Sequence, residues 1–69
     1  MTETLVFEFF WSNGKINVNG YEFTETISYE DFGELKARLL EPFLDDELYR
    51  IEEKKASCFH RVSVLRKYP

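Results

Sequence analysis

The sequence predicts a small α+β domain: a single-layer sheet of about four strands, covered on one side by one helix, in the order ββαββ. Two observations support this fold class. Segments towards both ends of the chain alternate apolar and polar residues with the period of two that a β-strand imposes. A central segment repeats its apolar residues every three or four positions, as an amphipathic helix does. Because a chain of 69 residues supports only one hydrophobic core, residues 1–69 are interpreted as one domain.

The first predicted strand is apolar on both faces. Phe7 and Phe9 fall on one face, and Val6 and Phe10 fall on the other. The strand leads to Asn13-Gly14, a pair that favours the type I′ turn of a tight β-hairpin. Since a single helix covers only one side of a sheet, we expect the second apolar face to lie open. The alternative is that sheet curvature, or packing of Phe43 and Leu44, hides these side chains.

In the next segment, the apolar residues change from even-numbered to odd-numbered positions at Asn19-Gly20. Ile16 and Val18 are apolar at even positions, whereas Tyr21 and Phe23 are apolar at odd positions. Two structures satisfy this change, a β-bulge within one long strand or a second tight hairpin. The bulge is preferred because the hairpin would leave a very short strand before the turn, and because a bulge lets both apolar pairs face one core.

A helix is predicted from Ser28, whose hydroxyl can cap the free amides of the first turn. Pro42 disfavours helical geometry in the residue before it, so the helix is expected to end near Leu40 or Glu41. Gly33 is interpreted as a point where helix and sheet make close contact, and the alternative is an exposed flat spot that a partner approaches. The apolar residues of the helix form one stripe, which contains Phe32, Leu35, Leu39 and Phe43.

Two further strands are predicted after the helix, over residues 48–53 and 58–67. This order of hairpin, covering helix and later strands resembles that of the ubiquitin-like β-grasp domains, over nearly the whole chain. The resemblance implies a mixed sheet. The sequence closes with Lys67-Tyr68-Pro69 and not with the Gly-Gly that ubiquitin-like modifiers use for conjugation, so a modifier role is not expected.

Few residues are suited to catalysis or metal binding. Cys58 and His60 form the one close pair of a thiol and an imidazole, and strand alternation would place them on one face. A catalytic pair also needs an orienting group and an oxyanion site, and zinc normally takes three or four ligands. We therefore expect a buried thiol and a partly buried imidazole with structural roles, no enzymatic activity, no metal and no cofactor. A lone cysteine and the lack of a targeting or membrane-spanning segment predict a cytoplasmic protein without a membrane partner.

Charge is distributed unevenly along the chain. All 13 carboxylates lie in residues 1–53 beside four basic residues, a net charge of −9, whereas residues 54–69 carry five basic residues and no acid, a net charge of +5. One hypothesis is that this basic segment binds nucleic acid, although the acidic remainder would repel a polyanion. The alternative is that the cationic strand offsets the repulsion of acidic neighbours. The candidate nucleic-acid contacts are Lys54, Lys55, Arg61, Arg66 and Lys67.

The leading functional hypothesis is non-enzymatic protein binding, by a small acidic inhibitor, antitoxin-like or adaptor protein of the kind that phages and mobile elements encode. An open apolar sheet face usually marks an interface. A partner protein, or a second copy of the chain, is predicted to dock on Val6, Glu8, Phe10, Phe59 and Leu65. Acidic residues are expected to steer the protein to a basic surface, such as one that binds nucleic acid. These residues are Glu22, Glu25, Glu30, Asp31 and Glu34.

Overall fold

One helix packs against a five-stranded sheet in the computed structural model, which describes residues 2–67. A short 3₁₀ helix, Glu41–Phe43, follows the α-helix. In chain order the other elements are β1 (Thr2–Phe10), β2 (Lys15–Val18), β3 (Tyr21–Thr26), α1 (Tyr29–Leu40), β4 (Tyr49–Lys55) and β5 (Phe59–Arg66).

The strand order is β3-β2-β1-β5-β4, and every strand pair is antiparallel. β1 is the central strand, with Phe7 opposite Val18 of β2 and Val62 of β5. Directly opposed residues point to the same face of a sheet. The alternation in β1 and β5 therefore places one apolar row under the helix. The expectation of a mixed sheet, taken from the β-grasp resemblance, is wrong, because no described strand pairs in parallel.

The prediction of four strands in the order ββαββ is wrong, because Asn19-Gly20 forms a hairpin turn and divides the predicted long strand into β2 and β3. Both turn residues have positive φ, 51° for Asn19 and 82° for Gly20, as a type I′ turn requires. The turn is tied to the centre of the sheet, since the Val6 amide donates to Asn19 Oδ1 at 2.9 Å and the Asn19 amide donates to the Val6 carbonyl at 2.7 Å. These bonds compensate for the short length of β2.

The first turn is longer than the predicted type I′ hairpin. Phe9 is opposite Ile16, and the Gly14 amide donates to the Phe10 carbonyl at 2.9 Å. Only Gly14 of the Asn13-Gly14 pair has a positive φ, 68°. Trp11 leaves the strand here, and its Nε1 donates to the Ala56 carbonyl at 3.1 Å. The longer turn thus attaches the β1–β2 connection to the β4–β5 connection.

The predicted limits of the helix are confirmed. The Ser28 hydroxyl accepts a hydrogen bond from the Asp31 amide at 3.1 Å, and α1 ends at Leu40, before Pro42. The interpretation of Gly33 is wrong. Gly33 is exposed, and a Cβ added there would meet no atom within 4 Å.

The core lies between α1 and the centre of the sheet. Phe32 is fully buried, with its ring centroid 5.8 Å from that of Phe7 and 5.4 Å from that of Phe9. Val62 and Val64 of β5 are also fully buried. Across residues 2–67, no helix has both the length and the apolar character needed to cross a membrane.

Candidate functional site

β3 is an exposed edge of the sheet that carries two aromatic side chains. Among the described strands it pairs only with β2, and all six of its residues are exposed. Tyr21 is 72% exposed and Phe23 is 43% exposed, and their rings lie edge to face with centroids 5.8 Å apart. Tyr21 is opposite Val18, which packs against the core. Both rings therefore lie on the helix side of the sheet, where the helix leaves them uncovered.

The acidic residues expected to steer a partner continue from β3 into α1. Two lie in β3 and three in the first two turns of α1, with only Ile27 and Ser28 between the two elements. Residues 16–35 contain five carboxylates and no Lys or Arg, and none of the five carboxylates forms an ion pair among the described residues, although Arg38 borders Asp31 and Glu34. We name as the acidic edge the following exposed residues: Tyr21, Glu22, Phe23, Glu25, Glu30, Asp31 and Glu34.

The aromatic part of the acidic edge is not among the site residues predicted from the sequence. The predicted bulge would bring Tyr21 and Phe23 under the helix, whereas both are exposed in the structure. The signal that could have found them is the Asn19-Gly20 pair, since a type I′ turn there makes β3 a separate outer strand. An outer strand that follows a two-residue turn lies farther from a single central helix than the strands before it.

The five residues predicted to bind a partner lie on the open face of the sheet, opposite the helix. Val6, Glu8 and Phe10 alternate along β1, and Phe59 and Leu65 belong to β5, with Phe10 directly opposite Phe59. The structure thus brings them onto neighbouring strands. Each of the four apolar side chains is half-buried and none is fully exposed.

A polar layer on the open face accounts for part of this burial. Arg61 Nη2 lies 3.0 Å from Glu8 Oε2, and Arg61 Nε donates to the same oxygen at 3.1 Å. The Arg61 guanidinium also lies over the Phe59 ring, 4.6 Å from its centroid. At the centre of the open face, Arg61 thus pairs with Glu8 and its guanidinium covers the Phe59 ring. This face is therefore less apolar than predicted from the sequence.

The five basic residues expected to contact nucleic acid are spread over the C-terminal hairpin. Lys54 and Lys55 end β4 beside the turn, and Lys54 is opposite Arg61. Arg66 and Lys67 lie at the other end of β5. Arg61 and Arg66 are about 17 Å apart along the strand and point to opposite faces. The structure therefore separates these cations into two groups.

His60 is the buried polar residue of the core, with a side chain 2% exposed. Its Nδ1 is 3.1 Å from the Tyr29 hydroxyl, and its Nε2 is 2.9 Å from Glu53 Oε1. Lys36 Nζ lies 3.0 Å from the same Glu53 oxygen. The hydrogen bond from Lys36, and to a smaller degree that from His60, lowers the pKa of the Glu53 carboxyl, while partial burial opposes this change. Both ring nitrogens are already partnered, and the imidazole is fully buried, not partly buried as expected.

Cys58 is exposed in the turn before β5, so the expectation of a buried thiol is wrong. The physical reason is that β5 begins one residue later, and the Cys58 carbonyl accepts a hydrogen bond from the Trp11 amide at 3.1 Å. Strand alternation therefore does not place the thiol beside His60. Within residues 2–67, no cluster of three or more His, Cys, Asp or Glu side chains is arranged to hold a metal ion.

Comparisons of the chain with protein-family models, with curated proteins and with solved structures each found no match. We therefore infer the function from the surfaces described above.

Proposed function

We propose that the protein is a non-enzymatic protein-binding domain that docks on a basic protein surface through the acidic edge. The observation that carries this proposal is the exposed Tyr21–Phe23 ring pair within a run of 20 residues, 16–35, that has five carboxylates and no cation. Aromatic side chains supply much of the binding energy at protein interfaces, and surrounding charge sets the choice of partner and the rate of association.

The open sheet face is proposed as a second contact of the same partner. Its apolar side chains are half-buried and its central charges are paired, so it offers less free apolar surface than the acidic edge does. A surface of this kind contributes shape complementarity more than binding energy. The proposal includes a role as an inhibitor or adaptor of a nucleic-acid-binding protein in the cytoplasm, where an exposed lone thiol such as that of Cys58 stays reduced.

The test is quantitative affinity capture from a lysate of the native host with matched variants. Glu22→Lys with Glu25→Lys reverses two charges of the acidic edge. Asp45→Lys with Glu47→Lys reverses two exposed charges in the loop before β4, and so makes an equal change in net charge. We expect the first double variant to capture at least tenfold less of a basic protein, and the second to capture as much as the unmodified chain.

Nuclease treatment of the lysate separates protein binding from binding through nucleic acid. Capture that survives the nuclease supports a protein partner. Capture that disappears with the nuclease, together with loss on Arg61→Ala and Lys67→Ala, would support the nucleic-acid alternative. Equal losses in the two charge-reversed variants would show that net charge alone drives capture and would refute docking at the acidic edge.

A further inference from the structure

We propose that β3 binds an extended, basic segment of the partner as a sixth, antiparallel strand of the sheet. This inference rests on the proposed function and specifies the chemistry of its partner. An edge strand presents unpaired backbone N–H and C=O groups on its outer side, which an extended peptide can pair with.

The two edges of the sheet differ in how they are protected. At one edge, five of the seven residues of β4 are charged and both signs are represented, an arrangement that opposes pairing with another chain. At the other edge, β3 has the sequence Tyr-Glu-Phe-Thr-Glu-Thr, without Pro, Lys or Arg. Tyr, Phe and Thr are residues that favour β-strands. β3 is therefore the edge suited to accept a strand.

The negative charge of β3 favours a basic partner segment over a second copy of the chain. Glu22 and Glu25 are exposed carboxylates with no ion pair to a neighbouring cation among the described residues. If two copies of the chain paired through β3, the two neighbouring strands would carry four carboxylates and no cation. Like charges close together on neighbouring strands repel each other and destabilise the pairing. A segment with Lys or Arg is favoured over a second copy for this reason.

The side chains of β3 offer different contacts on the two faces. Tyr21 and Phe23 share one face, and Glu22, which is opposite Asn17, lies on the other. An added strand of alternating character would place apolar residues beside the two rings and basic residues beside Glu22. β3 has six residues, about 20 Å when fully extended, and its pairing with β2 is irregular between Glu22 and Thr26, so the partner segment it accommodates is at most about this long.

The probe for this inference is a capped eight-residue peptide of alternating lysine and valine, titrated into the isotope-labelled full chain. Two modified peptides carry N-methyl groups, one on every lysine and the other on every valine. In an extended strand, alternate amides point to opposite edges, so only one of the two sets faces β3. We expect one methylated peptide to bind like the parent and the other at least tenfold more weakly.

Amide hydrogen exchange locates the bound peptide. We expect slowed exchange at those backbone amides of Tyr21–Thr26 that point away from β2, and unchanged exchange in β4. Strand addition is overturned if the parent peptide does not bind, if both methylated peptides behave alike, or if the protected amides lie in β4. If any of these three results is found while the double variant Glu22→Lys with Glu25→Lys still captures less partner, strand addition is refuted and the proposed function stands. If capture is unchanged by this charge reversal, the proposed function itself fails.

Discussion

At the scale of single residues, the surroundings of His60 show how a buried polar group is accommodated. Tyr29 and Lys36 belong to α1, Glu53 to β4 and His60 to β5, so one chain of hydrogen bonds joins the helix to two strands. A buried imidazole without partners would cost free energy of desolvation. Here the partners satisfy both ring nitrogens, and the bonds fix the position of the helix over the C-terminal hairpin.

Glu53→Gln is expected to make stability less dependent on pH in the acidic range. The pKa of Glu53 is lowered from its ordinary value of 4.5 in the folded protein, so its ionised form stabilises the fold above that pH. This contribution is lost as the pH falls through the lowered value. At pH 7 the variant should be less stable by under about 1 kcal/mol, because the interactions of an exposed carboxyl are screened by solvent. Urea unfolding at several pH values between 3 and 7 measures the difference.

Glu52→Gln is the matched control for this measurement. Glu52 precedes Glu53 in β4, and it pairs with Arg50 at 2.9 Å, where both side chains are about half exposed. An exposed pair of this kind contributes little to stability. If the stability of Glu53→Gln depends on pH in the same way as that of Glu52→Gln, the bonds from Glu53 to Lys36 and His60 contribute no more to the free energy of unfolding than the exposed Arg50–Glu52 pair does.

At the scale of secondary-structure elements, Gly20 and Gly33 show that free space for a side chain and a backbone conformation suited to one are separate requirements. An added Cβ would meet no atom within 4 Å at Gly33 or at Gly20. Gly33 has helical geometry in α1, whereas Gly20 has φ of 82° in the β2–β3 turn. The two positions therefore differ in backbone conformation alone.

Gly33→Ala should stabilise the protein by about 0.5–1 kcal/mol, because alanine loses less backbone entropy in a helix. Gly20→Ala should destabilise it by roughly 1–2 kcal/mol, because a Cβ is unfavourable at positive φ. Denaturant unfolding of both variants measures the two effects. A stabilising Gly20→Ala substitution would contradict the type I′ turn, and with it the division into β2 and β3.

At the scale of the whole molecule, the strand order explains the uneven charge of the sequence. The acidic strand β3 lies at one edge of the sheet, and the C-terminal hairpin with most of the basic residues lies at the other. β5 lies between β1 and β4, where Arg61 pairs with Glu8. Part of the basic segment thus offsets an acidic neighbour, while the carboxylates of the acidic edge form no ion pair among the described residues.

Val6→Ala with Phe10→Ala tests the open face as the second contact. We expect this double variant to weaken partner capture, but by less than Glu22→Lys with Glu25→Lys does, because the open face presents half-buried side chains. The same capture assay measures it, after circular dichroism has verified the fold. Complete loss with the open-face variant and full capture with the charge-reversed variant would place docking on the open face instead.

The local elements could be predicted from the sequence because their signals lie within a few residues. The Ser28 cap, the end of α1 at Leu40 and the alternation of β1 and β5 depend on neighbours along the chain. The open-face residues could also be assigned to one side of the sheet, since a period of two fixes which side chains share a face. The acidic residues of the proposed docking surface are likewise visible in the sequence, as a run of residues without a cation.

The tertiary structure alone decided which strand became the edge and which aromatic rings remained uncovered. Either a bulge or a turn at Asn19-Gly20 agrees with the local pattern, and the choice depends on hydrogen bonds to Val6, 13 residues away. Likewise, Tyr21 and Phe23 have the alternation of core residues, yet the helix spans the centre of the sheet and does not reach them. Burial depends on the distance of a strand from the covering helix, and that distance is set by strand order, which local periodicity does not encode.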